Sequence, residues 1–456
     1  MTQDEIYNAL VNIVGEEFVS TRPEELYLYS RDSGAQPPRR VDYVVMPGTV
    51  DEVQKIVVLA NEKKIPVTPM GGSFTTSGLA VPVKGGMVMD LKRMNKIIEV
   101  NDKSRYAVVE AGVSQGALID YLSKYYPHLQ HSTPEAPPIT TVVGNALIRG
   151  HGHISPRYGI NSELINGMEV VLPTGEICKV GSCSVSPYWF TRGPLPDLPG
   201  LFIGWHGTTG IVTKLSIQLF ARPKYRDIVV FYTDNVDLIT GILVDITSIE
   251  IYDNIFVMAQ ERPDYMDHVI FAILVSGNTE QEFEVKRQTF QEMYRNRKEI
   301  KYIKELPDAL YRRFIDVPPF AAVAADFRKG GGFEYTGAIL PLEKVLECWK
   351  KGKEIFSKYG LFYSYAHQVL GPHCVMFGFN YSFNRADESE VERVRKALDE
   401  SNRLTLTMGG MVWRAELPAQ EQMLAQMDPN TLELMKKIKQ VLDPNEIMNP
   451  GNWSVN

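Results

Sequence analysis

Three stretches of this chain carry residue types that can do chemistry. The first is Met70-Gly71-Gly72-Ser73-Phe74-Thr75-Thr76-Ser77. Paired glycines let a backbone take left-handed φ and come close to a ligand. Successive amides in such a loop form an anion-binding nest, and the hydroxyls add donors. The stretch suits a phosphate cradle. It lacks the Gly-Lys-Ser/Thr of a triphosphate loop and the helix-opening Gly-x-Gly-x-x-Gly of the dinucleotide fingerprint. Read alone, a glycine turn between two strands explains it as simply. The second stretch is Trp413-Arg414, within Gly409-Gly410-Met411-Val412-Trp413-Arg414-Ala415-Glu416. An arginine there suits a planar anion; the plainer reading is an ion pair with Glu416. The third group is histidines: His367 and His373, and His151 and His153 in Arg149-Gly150-His151-Gly152-His153. Histidine titrates near neutrality, so each can be a base or a hydrogen-bonding group. A spacing of two sends His151 and His153 to opposite sides of an extended segment.

The elements that must position these residues can be read coarsely. Residues 1–40 read as a helix and an irregular arm. Tyr43–Met46 and Ile65–Thr68 read as strands around a helix from about 50 to 63, which Thr49 and Glu52 open with capping-box spacing. The second strand runs into the glycine loop. Further strands are Met87–Asp90, Lys96–Val100 and Tyr106–Glu110, and Ser114 caps the next helix. Residues 127–165 show no clear period and are rich in Pro, Gly, Thr and His, as functional loops are. A hairpin turns at Pro173-Thr174-Gly175, and a strand from Ile211 to Phe220 closes this half. From about 224 the character changes. Strands at Ile228–Tyr232, Ile255–Ala259, Ile270–Val275, Gly337–Leu340 and Val375–Tyr381 alternate with helices at 279–297, 342–359, 387–400 and 417–441. This predicts an antiparallel sheet with helices on it, an α+β layer.

Bulk properties narrow the partners. The chain has 456 residues and a net charge of −7, which disfavours nucleic acid and anionic membrane surfaces. No apolar run approaches the roughly 20 residues of a membrane span. The acidic N-terminus lacks the order of a signal peptide, so a cytoplasmic protein is expected. Four cysteines form neither a disulfide framework nor a zinc-type pair of pairs.

In order, the landmarks are the glycine loop, Gly85–Leu91, Val109–Val113, Val143–Ala146, Tyr158-Gly159, Gly167–Glu176, Gly200–Phe202, Gly210–Lys214 and Leu442–Gly451. Together they resemble the vanillyl-alcohol oxidase/p-cresol methylhydroxylase superfamily, and within it the FAD-linked oxidases of glycolate oxidase subunit type. The resemblance implies a two-subdomain FAD-binding domain at 41–223, after the arm 1–40, and a cap-like substrate domain at 224–456. It implies that FAD pyrophosphate lies on the amides of Met70, Gly71, Gly72, Ser73, Phe74, Thr75 and Thr76. Pro134, Glu135, Thr140, Thr141, Gly144 and Asn145 would line the adenosine and flavin. Ile211 and Val212 would meet the adenine side, and Asn449 the flavin or ribityl end.

The same resemblance makes the chain an FAD-dependent oxidoreductase. It would take hydride from a C–H next to oxygen, in a phenol, alcohol or hydroxy acid, onto flavin N5. Trp413-Arg414 stands where phenol-oxidising members have Tyr-Arg, whose arginine holds the phenolate. Those members have tyrosine where this chain has Met70, and an acidic residue where it has Ile160; both departures favour another substrate. His367 and His373 are similar to a metal-binding strand in the 2-hydroxy-acid dehydrogenase branch, shorter by one residue and lacking its Asp and Asn, and Glu416 would stand where that branch has another acidic ligand. A metal-assisted dehydrogenase is one alternative, and an FAD-binding electron-transfer subunit is another. Members attaching FAD from the loop have histidine directly after Gly-Gly; Ser73 implies non-covalent FAD here. A small-molecule substrate is expected, oxygen and a protein electron acceptor both stay open, and a homo-oligomer is expected from the family.

Overall fold

The computed structural model describes residues 2–260, 268–315, 330–362 and 364–454. Helix starts follow their caps. Thr49 accepts from the Glu52 N–H at 3.2 Å and opens the helix Val50–Lys63, which buries Val53, Ile56, Val57 and Ala60. Glu52 reaches back to the Gly48 N–H at 2.7 Å, one residue beyond the usual capping-box partner. The helix ends on left-handed Lys64, φ 53°, and the Ile65 N–H closes onto Ala60. Ile65 is therefore spent on the helix end, and the strand expected from it runs instead over Val67–Met70.

Among the described residues three larger sheets carry the fold, beside a two-stranded pair of Leu129–Gln130 and Phe220–Ala221. The first has the order Val19–Ser20, Tyr43–Val45, Met87–Asp90, Val67–Met70, and its last three strands are parallel. The second is antiparallel, in the order Ile97–Asn101, Tyr106–Glu110, Ile211–Gln218, Ile165–Val171, Ile177–Gly181. The third is the antiparallel sheet expected of the second half. Its described strands run in the order 300–303, 225–233, 269–277, 254–260, 364–371, 374–384, 331–341, 411–413.

Alternation along these strands divides two cores. Val229, Phe231, Phe271 and Phe377 pack under the helices Ile239–Thr247, Val345–Tyr359 and Glu388–Thr407. Ile228, Val230, Leu274 and Phe256 pack with Phe314 on the other face.

Two expectations change in detail. Residues 127–165 are not wholly irregular: they hold short helices at Val142–Leu147 and Ser155–Tyr158. The helix expected over 417–441 is two, Leu417–Gln426 and Pro429–Leu442. Pro429 has no N–H to continue the first helix but fits a helix start, and Asp428 accepts from Thr431 N–H at 2.9 Å to cap it.

The arm before residue 40 holds a helix, Pro23–Tyr29, and then straps two sheets together. Asp32 accepts from the N–H groups of Gly34 and Gly78, each at 2.8 Å. Ala35 donates its N–H to Glu334 at 2.9 Å and accepts from Arg395 at 2.6 Å. The start of the chain is thereby tied to the end of the glycine loop and to the large sheet.

Candidate active site

The glycine loop leaves the parallel strand Val67–Met70 beside the second sheet. Left-handed φ falls not on its glycines but on Ser73, at 56°, and Thr76, at 60°. The glycines are needed for closeness instead. A Cβ on Gly71 would lie 2.6 Å from Thr141 Oγ1, and one on Gly72 2.6 Å from the Ile139 carbonyl oxygen. From Gly72 to Ser77 no backbone N–H donates to a protein acceptor among the described residues. The hydroxyls of Thr75 and Thr140 are buried without a partner. Buried donors without partners are rare in folded proteins, and of these residues Gly72, Ser73, Phe74, Thr75 and Thr140 line one cleft.

That cleft spans about 920 Å³, a volume that includes open solvent. Of the residues expected at the cofactor, Met70, Gly71, Gly72, Ser73, Phe74, Thr75, Thr140, Thr141, Gly144, Asn145, Ile211 and Val212 line it. Thr141 also caps the helix Val142–Leu147 through the Gly144 N–H at 3.2 Å. Thr76, Pro134, Glu135 and Asn449 are not on its wall. Asn449 braces it from behind: it donates to Leu79 at 3.2 Å and His206 at 2.7 Å, and Thr68 donates to it at 3.2 Å. The unpartnered amides, orphan hydroxyls and apolar walls at Leu79, Leu91, Val143 and Leu147 fit a pyrophosphate-bearing cofactor with flat aromatic ends. His206 and Gly207 complete the wall, and neither was marked from sequence. Their signal is the turn-rich run Gly204–Gly210, where a Cβ on Gly207 would lie 2.6 Å from Pro69 Cγ.

Beside the loop stands Trp413-Arg414. Met411–Trp413 is an edge strand of the large sheet, and Trp413 pairs with Gly337, which pairs with Gly378. These facing glycines leave room for the Tyr335 ring, which lies across them; a Cβ on Gly378 would sit 2.4 Å from it. Trp413 donates Nε1–H to the Ile148 carbonyl at 2.7 Å, crossing to the cleft wall. Arg414 turns into left-handed φ, 53°, immediately after the strand. Its guanidinium carbon lies 4.3 Å from the Trp413 ring centroid and 5.1 Å from that of Tyr335. Nη1 donates to the Thr75 carbonyl at 2.6 Å, and Nη2 to Tyr335 at 3.4 Å. Nε is buried with no partner.

The ion pair with Glu416 does not form. Glu416 instead accepts from Asn402, and burial pushes its carboxyl up to about 7. Burial, then the charge of Asp32, also raises Glu334 well above the usual carboxylate range, and burial raises Asp32. Burial lowers the Arg414 pKa, and Tyr335, Glu334, Asp32 and Glu416 oppose that shift. Tyr335, Glu334 and Asp32 carried no sequence signal, because nothing in their spacing announces that three distant segments meet.

The histidines separate. His151 packs edge-on to Trp413, with centroids 5.3 Å apart, and burial followed by the Arg414 charge brings its pKa down to about 3. His153 faces elsewhere, against the Thr133 backbone, as the spacing of two requires. His373 is exposed in the turn between strands Ser364–Gly371 and Cys374–Asn384. Gly378, level with Trp413, is four residues beyond Cys374, roughly 13 Å at strand rise. His373 is therefore not in the Arg414 chamber. The backbone of His367 pairs with Val257 and Phe377, and its side chain lies outside the described residues. Among the described residues no group of three His, Cys, Asp or Glu is placed to hold a metal. No described helix is long and apolar enough to cross a membrane.

Comparison with known proteins accords with this geometry. Residues 41–181 match the FAD binding domain family, and residues 234–453 match the C-terminal domain of FAD-linked oxidases. A glycolate oxidase subunit of Bacillus subtilis is 24% identical, over 99% of this chain and 97% of its own length. The flavoprotein subunit of 4-cresol dehydrogenase (hydroxylating) from Pseudomonas putida is 27% identical, over 100% and 96%. The fold matches that of p-cresol methylhydroxylase with a TM-score of 0.88 at 22% identity, over 99% of this chain and 97% of that one. It also matches a 4-ethylphenol oxidase from Gulosibacter chungangensis with a TM-score of 0.89 at 21% identity, over the same shares. The chain is an FAD-dependent oxidoreductase and belongs to the FAD-linked oxidases of the vanillyl-alcohol oxidase/p-cresol methylhydroxylase superfamily.

Proposed function

We propose that this enzyme oxidises a small organic anion, a phenolate or a 2-hydroxy carboxylate, at a C–H activated by the neighbouring oxygen. One observation carries the reading: a buried guanidinium, Arg414, with an unpartnered Nε, set between two aromatic rings and bonded to the loop built for pyrophosphate. Bound FAD supplies the hydride acceptor, at flavin N5. The chain binds and orients. Residues 70–76, Thr140, Thr141, Gly144, Asn145, Ile211 and Val212 hold the cofactor in this reading. Arg414 holds the substrate anion, for which a planar fork of donors is suited.

The acids around Arg414 support this assignment. With Glu334 and Glu416 pushed toward their neutral forms, the guanidinium keeps charge for an incoming anion. Trp413 and Tyr335 supply flat walls, which favour a planar substrate. His151, neutral and against Trp413, accepts or donates a hydrogen bond without adding charge.

Ser73 follows Gly-Gly in place of a histidine, so this loop holds FAD without a covalent bond. A second reading concerns the acceptor. Two full-length relatives are named as subunits, of a glycolate oxidase and of a cresol dehydrogenase. That favours a partner protein over oxygen as the acceptor. The test is anaerobic bleaching of the flavin by phenols, 2-hydroxy acids and neutral alcohols, followed by admission of air. Bleaching by an anionic class supports the substrate reading; bleaching by neutral alcohols alone overturns it. Slow recolouring in air supports the protein acceptor, and fast recolouring overturns it.

A further inference from the structure

Asn145 lines the flavin cleft from the helix Val142–Leu147, and only 6% of it is exposed. Its side chain is not free to turn. Asn161, itself buried, donates Nδ2–H to the Asn145 Oδ1 at 2.6 Å. The Asn145 Nδ2–H2 has no partner among the described residues, and it is not sealed off in the interior. A primary amide has one acceptor end and one donor end, so fixing the first aims the second. The end left for the cleft is the donor.

The backbone ties the same segments together. The Gly150 N–H donates to the Asn145 carbonyl, and the Asn161 N–H to the Gly150 carbonyl, each at 2.8 Å. The Asn145 amide lies against the bare side of Gly150, where a Cβ would fall 2.2 Å from Nδ2 and 2.4 Å from Cγ. Packing alone does not account for Asn161. Its Oδ1 is buried without a partner. A polar group left unpaired in the interior costs stability, and an apolar residue of similar shape would avoid that cost. What the asparagine adds is its one hydrogen bond to Asn145.

Position along the wall shows what Asn145 faces. Thr141 stands against the glycine loop, where a Cβ on Gly71 would lie 2.6 Å from its Oγ1. Asn145 is four residues on, roughly 6 Å along the helix. Ile148, a further turn on, accepts from Trp413 Nε1–H at 2.7 Å. Asn145 thus lies between the pyrophosphate loop and the Trp413-Arg414 end, past the phosphates and toward the flavin. We propose that Asn161 is a positioning residue for the cofactor. With Gly150 it holds the Asn145 amide so that Nδ2–H donates to the ring system of bound FAD. A donor at the ring favours the reduced, more electron-rich flavin and raises its potential. The inference rests on the reading that Asn145 faces the cofactor, and not on what Arg414 binds.

The test is the midpoint potential of the bound flavin, read without oxygen against a reference dye. FAD is kept in excess, so that weakened binding does not hide the shift. Wild type, Asn145→Ala, Asn161→Ala and the double variant close a cycle. Asn161→Ser, too short to reach Oδ1, replaces Asn161→Ala if that variant does not fold. Losing one hydrogen bond to the reduced flavin changes the equilibrium with the dye about ten-fold, a fall of about 30 mV for a two-electron couple. The expected result is a fall of that size in Asn145→Ala, a fall of about three- to ten-fold in Asn161→Ala, and no further fall in the double variant. A potential unchanged or raised in Asn161→Ala overturns the proposal. So does a double variant that falls below Asn145→Ala, because Asn161 then acts by another route. Loss of flavin binding in both Asn161 variants, with binding kept in Asn145→Ala, overturns it too: a residue acting through Asn145 can do no more than the removal of Asn145. If Asn145→Ala itself leaves the potential unchanged, the reading that Asn145 faces the flavin fails as well.

Discussion

Arg414 donates from Nη1 to the carbonyl oxygen of Thr75 at 2.6 Å, so the residue that follows the edge strand of the large sheet is bonded to the glycine loop. The same oxygen accepts from the hydroxyls of Thr76, at 2.7 Å, and Ser77, at 3.3 Å. Cap and loop thus share one acceptor. Arg414→Lys keeps a charge but loses the fork that spans Thr75, Tyr335 and the free Nε. We predict a fall in kcat/KM of roughly 10²–10³-fold with FAD still bound, equivalent to about 3–4 kcal/mol of transition-state binding. Steady-state kinetics with any substrate found by flavin bleaching checks this. A variant within about two-fold of wild type removes Arg414 from the site.

Closeness, not left-handed backbone, makes Gly72 necessary. The Cβ of Gly72→Ala would lie 2.6 Å from the Ile139 oxygen and 3.1 Å from Thr140 Cα, both backbone atoms that cannot swing away. The loop must then move off the wall that carries Thr140 and Thr141. We predict purification with less than about a tenth of the wild-type flavin, for a cost of one to three kcal/mol from overpacking. Absorbance ratios of flavin to protein measure it, and full occupancy of the variant would contradict the fit.

Ser73 predicts how the flavin leaves. Acid precipitation should release all of the yellow colour into the supernatant, and the mass of the denatured chain should stay at 51.5 kDa. Colour retained in the pellet would place a covalent bond elsewhere in the chain.

Glu416 predicts a dependence on pH. Its carboxyl titrates near 4.5 when the chain is unfolded and about 7 when folded, because burial opposes its charge. A group whose pKa rises on folding contributes fully below the lower value, and the contribution is lost as pH climbs through the higher one. Stability should therefore fall between about pH 4.5 and 7, by on the order of 3 kcal/mol from this group. Glu416→Gln keeps the hydrogen bond with Asn402 and removes the titration. Its melts should show a shallower slope over that interval; a slope equal to wild type would assign the titration to another group.

Much of this was legible in the sequence where the information is local. Thr49, Ser114 and Thr279 each announce a helix start, and each side chain accepts the N–H of a residue three positions on. The glycine loop was visible as a loop, yet the reason for its glycines was not. Which atoms crowd Gly71 and Gly72 depends on Ile139 and Thr141, some 70 residues away. The chamber around Arg414 is less local still. Asp32 comes from the arm, Glu334 and Tyr335 from the strand next to the edge of the large sheet, and Trp413 from the edge strand itself. No period or motif joins them; only the register Gly337 to Gly378 and Gly337 to Trp413 does. The split of the helix at Asp428-Pro429 was readable, because an Asp before a Pro is a start signal inside a run that otherwise looks continuous.

The central claim is that the reducing substrate is an anion held by Arg414 against the flavin. It is tested most directly by stopped-flow bleaching of the bound flavin without oxygen, in wild type and Arg414→Gln, across phenols, 2-hydroxy acids and neutral alcohols. The account predicts that one anionic class bleaches the wild-type flavin and that the variant reacts at least about 100-fold more slowly with it. Equal rates in wild type and variant, or bleaching by neutral alcohols alone, would contradict it.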